Sequence, residues 1–267
     1  MHGAMQLAMH PEAIYGYSLW AITALVIGGA VLGVLVIEGA ARRLVRQDLR
    51  SAHNDVAGAL VGVIGTTYAV LLAFVAMLAW EGFQQAETAA HAEAAAIRDV
   101  VAAFDGLPDI TAMRAAVTDY TLAVVQVEWP AQARGEPVAV DSASLDRLNA
   151  LASVLRPGSA GEVNLHARLL TAVTRLADER AERLRLAAGT IPAIIWTTLL
   201  MGGGLTLVAA SFLGAPSLLM HLAMSSVLAV SGALVLVLIV ALGNPFRGDF
   251  RVSSEPYSQV LERLGWP

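Results

Sequence analysis

The sequence predicts an all-α integral membrane protein: four transmembrane helices, with a water-facing helical domain inserted between the second and the third. Two observations carry this. Charge is scarce, at 15% of 267 residues with 57% hydrophobic, against about 25% charged in soluble domains. The charges are also clustered, leaving uncharged runs of 25 residues between Glu12 and Glu38, 25 between Asp55 and Glu81, and 61 between Arg185 and Arg247.

A helix rises about 1.5 Å per residue, so about 20 apolar residues cross a hydrocarbon core about 30 Å thick. The first two runs therefore hold one span each, near 17–37 and 56–80. The third holds two, near 191–213 and 218–242, divided at the turn signal Gly214-Ala215-Pro216-Ser217. The domains read as 1–80 (N-terminal segment and two spans), 81–190 (amphipathic helices), 191–242 (two spans) and 243–267 (C-terminal tail). Tyr15, Tyr17 and Trp20 at the first span, Trp80 at the second and Trp196 at the third suit interfacial aromatic belts. The first span does not read as a cleaved signal peptide, because it lacks a basic leader and a small-residue cleavage site, and Arg42-Arg43 follows as a stop.

Residues 81–190 carry 15 acids and 10 arginines, which places them in water. Four apolar stripes recur at helical spacing. They are Ile97, Val100, Val101, Phe104; Met113, Val117, Tyr120, Val124, Val127; Leu145, Leu148, Leu151, Leu155; and Leu169, Val173, Leu176. Breaks are expected at Asp105-Gly106-Leu107-Pro108, from Pro130 to Pro137, and at Pro157-Gly158, with Asp141 or Ser142 capping the third helix. No breaker separates Trp80 from Phe104, so the second span is expected to continue as one rod. Pro192 fits the first turn of a helix or a kink in one that runs on, and the helix before it is expected to continue into the third span.

On the second span, Gly58, Gly62, Gly65, Ala69, Ala73 and Ala76 fall within about 80° on a helical wheel, a surface suited to close packing of helices. Val63, Thr67, Leu71, Phe74 and Leu78 lie opposite, with Thr66 and Val70 between. This arrangement suits helix packing on one side and lipid on the other. It also suits a pore lined by several copies of the helix, since hydrophobic constrictions gate channels. No charged residue lies inside any predicted span, which argues against a proton relay or a charged transport site.

Ordered elements along the chain carry a family resemblance. Residues 50–58 read Arg-Ser-Ala-His-Asn-Asp-Val-Ala-Gly, followed by Gly65, Tyr68, Leu71-Leu72-Ala73-Phe74-Val75 and Trp80. Then come Glu93-Ala94, Leu107-Pro108, Tyr120, Glu128-Trp129-Pro130, Arg183-Leu184, Ile191-Pro192, Trp196 and Asn244-Pro245-Phe246-Arg247-Gly248. Over about residues 20–265 the chain resembles the bestrophin-like domain family of bacterial membrane proteins. His53-Asn54-Asp55 and Glu128-Trp129-Pro130 are the most specific parts.

That family's name points to the more distant bestrophin anion channels. The resemblance implies a pentamer whose second helix lines a hydrophobic neck, with Thr66, Val70 and Phe74 as neck side chains and an anion such as chloride as the permeant species. Thr66 and Thr67 interrupt the apolar neck. Asn244-Pro245-Phe246 is similar to the element after the last bestrophin span, but only Asp249 stands where vertebrate bestrophins place a calcium-binding acidic run. Calcium takes six to eight oxygen ligands, so calcium gating is not implied.

The remaining polar residues read mostly as structure. Asn54 or Asp55 is expected to cap the second span, or else His53 and Asp55 to hold an ion or headgroup. Glu81, Glu87 and Glu93 step by about 240° and read as a solvated surface. Arg175, Arg180, Arg183 and Arg185 read as contacts to headgroups or to Asp178, Glu179 and Glu182, and His221 as a buried, hydrogen-bonded residue.

The chain has no Cys, and its 17 basic residues are all Arg. No nucleophile–base pair, metal-ligand spacing or phosphate loop is present, so neither an enzyme nor a cofactor is expected. A net charge of −5 argues against nucleic acid as a partner. Four arginines within 38–55 favour a cytoplasmic loop there, with termini and helical domain outside. The bestrophin resemblance implies the reverse. The expected function is a homo-oligomeric anion channel, against the alternative of a non-conducting scaffold or sensor.

Overall fold

The computed structural model describes residues 18–105, 107, 110–136, 143–189 and 191–266, without the side chains of residues 47 and 48. The expected contributions of Tyr15, Tyr17, Gly106, Pro108, Pro137, Asp141 and Ser142 lie outside the described residues.

Ten α-helices are described: α1 (Leu19–Leu44), α2 (Gln47–Ala52), α3 (Asn54–Phe104), α4 (Thr111–Ala123), α5 (Trp129–Arg134), α6 (Ala143–Val154), α7 (Ala160–Ala187), α8 (Ala193–Ser211), α9 (Leu218–Gly243) and α10 (Glu255–Arg263). A π-helical turn, Val124–Glu128, joins α4 to α5. There is no strand among the described residues. Helices α1, α3, α8 and α9 are long and apolar enough to cross a membrane.

The described residues up to Glu81, with those from Ile191 to Gly243, form one unit, and the rest form a second. The segment after Gly243, set apart by the sequence as a tail, belongs to the second unit.

In the membrane unit, α1 packs on α8 and α9. Leu72 and Val75 of α3 join Leu199 of α8 and Ile239 of α9 in a buried apolar cluster. Tyr68 lies flat against Gly202 and Gly203, where an added Cβ would come within 2.8 Å and 2.9 Å of its ring and hydroxyl. The glycines thus admit a large side chain between two spans. Leu25, Gly29, Tyr68, Leu72, Trp196 and Gly232 border an apolar cleft of about 690 Å³.

The long α3 is one 51-residue helix, as expected. The second expected continuation fails. α7 stops at Ala187, Gly189 adopts φ 93°, and Pro192 caps α8 in extended geometry. Glycine reaches positive φ without steric cost, and proline resists the helical interior. The first span also outruns its prediction, carrying Glu38, Arg42 and Arg43 in its last turns.

The expected break between Pro130 and Pro137 comes at Gly135, later than the first proline. The chain stays helical from Thr111 to Arg134 and ends at Gly135, in left-handed geometry. Proline lacks the N–H that an α-helical interior requires, and the wider π-turn just before it relaxes that requirement.

Candidate functional site

The π-turn decides which side chains face inward. Met113, Val117, Tyr120 and Val124 are buried as the stripe predicts, but Val127 is exposed and Glu128 is buried instead. One wide turn delays the rotation by about a residue, so position 128 falls beneath position 124.

Glu128 enters a buried ionic network. Arg183 is the hub, 0% exposed, as is Glu93. Its Nε donates to Glu93 Oε2 and one Nη to Glu128 Oε2, each at 2.5 Å. Arg180 donates to Glu128 Oε1 at 2.5 Å, and the Tyr120 hydroxyl donates to Glu93 Oε1 at 2.6 Å. Two carboxylates therefore meet two guanidiniums, and the desolvated charges cancel. Burial disfavours charge on Arg183, yet Glu93 beside it holds the guanidinium well above its ordinary range. Burial and then Glu93 push the Tyr120 phenol well above its usual value, so it stays a neutral donor.

An aromatic cluster covers the network. Trp129 lies under the Arg183 guanidinium at 5.3 Å, meets Phe246 edge-on at 5.3 Å and Tyr257 at 5.1 Å, and donates from its indole to Val252 O. Pro245 O accepts from Val252 N, holding the segment after α9. The motifs Glu128-Trp129-Pro130 and Pro245-Phe246 are thus two sides of one core.

These contacts correct the surface readings of Glu93, Arg180 and Arg183. Glu81 and Glu87 remain exposed. Arg175 pairs with Asp99 at 2.9 Å and Arg185 with Glu182 at 2.6 Å, both in solvent. Glu93 and Arg183 both stand among the elements that carry the family resemblance, but their pairing depends on the mutual rotation of helices far apart in the chain.

A second cluster lies at one end of the membrane unit. Glu38, 2% exposed, accepts from Arg42 at 2.8 Å and from Arg50 at 2.9 Å, and lies 3.0 Å from His221 Nε2. Arg50 also donates to Ser211 O and Leu213 O in the α8–α9 turn. One turn later, the Asn54 amide donates to Gly214 O at 2.9 Å and accepts from Gly214 N at 2.7 Å. Asn54 therefore clamps this turn and does not cap its own helix. His53 Nδ1 lies against Leu49 O, and Asp55 is exposed in the first turn of α3. Gly214 is tight by necessity, since a Cβ there would meet the Ser51 backbone at 2.5 Å. Replacing Asn54 with Ala orphans both Gly214 groups and is expected to cost about 1–3 kcal/mol. Thermal unfolding in detergent measures it, and an unchanged midpoint would refute the clamp.

The expected neck residues lie on the far side of α3 from its own chain. Tyr68, Leu72, Val75 and Ala79 form the inward line. Thr66 and Val70 sit roughly opposite on a wheel of about 100° per residue. Thr66, Thr67, Val70 and Phe74 are all exposed, Val70 at 49% and Phe74 at 67%. Among the described residues nothing approaches the Cβ positions of Gly58, Gly62 and Gly65, and Ala69 and Ala73 are exposed. The edge at Gly58 and Gly62 is uncovered by its own chain, whereas Gly65, Ala69 and Ala73 border the apolar cleft and Ala76 packs against the Leu72, Val75, Leu199 and Ile239 cluster.

Together these features define an all-α membrane protein with four apolar spans. A family model described as the bestrophin-like domain matches residues 28–257, and the chain belongs to that family. No curated protein and no solved structure matches the chain.

Proposed function

We propose that the chain assembles into a homo-oligomeric ion channel, conducting anions such as chloride, with α3 lining the pore. The observation that carries this reading is the outward face of α3. Thr66, Val70 and Phe74 are exposed in the single chain, and the uncovered Gly58–Gly62 edge beside them leaves room for a neighbouring backbone. Copies packed through the small edge turn the larger side chains toward a common axis, where they form an apolar constriction. The Thr66 hydroxyl supplies a donor to a passing anion. The family resemblance supports five copies. The assembly sits in a bacterial inner membrane, with the helical domain outside by the charge rule.

The rival scaffold reading needs a groove on the helical unit. A small opening there is bordered by Phe104, Met113 and Leu151.

Purified protein in planar bilayers is expected to show single-channel currents that reverse at the chloride potential. Phe74→Ala is expected to raise unitary conductance by widening the constriction. Silent bilayers from a correctly assembled oligomer, or currents indifferent to Phe74→Ala, would remove the proposal.

A further inference from the structure

The two buried ionic clusters differ in charge balance. In the aqueous unit two carboxylates face two guanidiniums. At the end of the membrane unit, Glu38 is the one carboxylate bonded to Arg42 and Arg50 among the described side chains, and His221 adds a further polar group. The cluster therefore holds two guanidiniums against one carboxylate.

Its hydrogen bonding is equally lopsided. One terminal nitrogen of Arg50 serves both Glu38 oxygens and the Ser211 and Leu213 carbonyls. Its Nε and other terminal nitrogen are buried without a hydrogen-bond partner among the described residues, as is Arg42 Nη2. The Arg50 side chain is 1% exposed, while Arg42 keeps 30% of its own surface open. A desolvated guanidinium with idle donors is costly. An acceptor-rich anion removes that cost and neutralises the surplus charge.

The cluster's place in the fold selects the anion. It lies just past the apolar stretch of α1 and beside the turn joining α8 to α9, at the level where a bilayer presents phosphate oxygens to basic pockets between helices.

We propose that Arg42 and Arg50, braced by Glu38, form a binding site for a phosphate group, reached along the open edge of Arg42. The phosphate belongs either to an anionic lipid headgroup or to free inorganic phosphate. Arg50 also secures the turn, so its removal endangers the fold. Arg42→Gln keeps a hydrogen-bonding side chain and removes the charge, and Arg43→Gln at the exposed neighbour is the control.

Full-length protein in a zwitterionic detergent is titrated with phosphatidylglycerol and, separately, with sodium phosphate. Native mass spectrometry counts bound lipid, and thermal unfolding reads stabilisation by either ligand. One phosphatidylglycerol per protomer, weakened about tenfold by Arg42→Gln and unaffected by Arg43→Gln, supports a lipid site. Stabilisation by phosphate that Arg42→Gln abolishes, without selective lipid retention, supports a free-phosphate site. Equal responses of Arg42→Gln and the unmodified protein to both ligands overturn the proposal, as does an equal loss in Arg43→Gln.

Discussion

Replacing Arg183 with Met is expected to destabilise the protein by about 3–5 kcal/mol, the cost of leaving buried carboxylates uncompensated. Glu93 and Glu128 both depend on this one guanidinium, and Glu93 is 0% exposed. Methionine preserves much of the volume, so the loss reports charge more than packing. Adding Glu93→Gln is expected to restore part of the loss, since the amide no longer demands a cation and still accepts from Tyr120. Denaturant unfolding of the detergent-solubilised protein measures both, and Trp129 under Arg183 provides the fluorescent probe. A single-variant loss below about 1 kcal/mol, the size typical of an exposed pair, would mean that the network is solvated.

Arg50→Met is expected to have the second large effect, about 3 kcal/mol or more. It strips Glu38 of a partner and orphans the Ser211 and Leu213 carbonyls together. Pairing it with Glu38→Gln isolates the charge contribution: a combined loss smaller than the sum of the two single losses is the expected sign of direct coupling. Strictly additive losses, read from melting midpoints in the same detergent, would show that the two groups act independently.

The spans were legible because an uninterrupted apolar run has few places to go but a bilayer, and the Gly214–Ser217 turn divides the last two. The long α3 was legible for the opposite reason: nothing between Trp80 and Phe104 stops a helix. Hydrophobic spacing failed where backbone geometry departed from 3.6 residues per turn. Val127 fits the stripe on paper, yet the π-turn delivers Glu128 in its place. Proline at 130 reads as a terminator only while the turn before it is assumed to be α-helical.

The polar sites were hidden for a different reason. Glu93 shares its six-residue spacing with Glu81 and Glu87, and composition gives no hint that it alone turns inward. Asn54 has the residue type and position of a helix cap, and its partner Gly214 is 160 residues away. A local rule assigns local partners, and both Glu93 and Asn54 bond across the fold. The motif residues Glu128, Trp129, Pro245 and Phe246 were visible by resemblance, but only the folded chain shows them to be one cluster.

The nesting of the two units has a consequence for biogenesis. A ribosome releases Arg50 and Asn54 long before the turn at 211–214 that they grip, with the Gly82–Gly189 part of the aqueous unit made in the interval. Trp129 likewise waits for Val252 and Tyr257. Throughout translation the nascent protein exposes ungripped polar groups in both halves, and the last fifty-odd residues close both at nearly the same time. A chain stopped just short of Ser211 carries every span but one and still lacks the latch for either half, which makes it a natural target for membrane quality control.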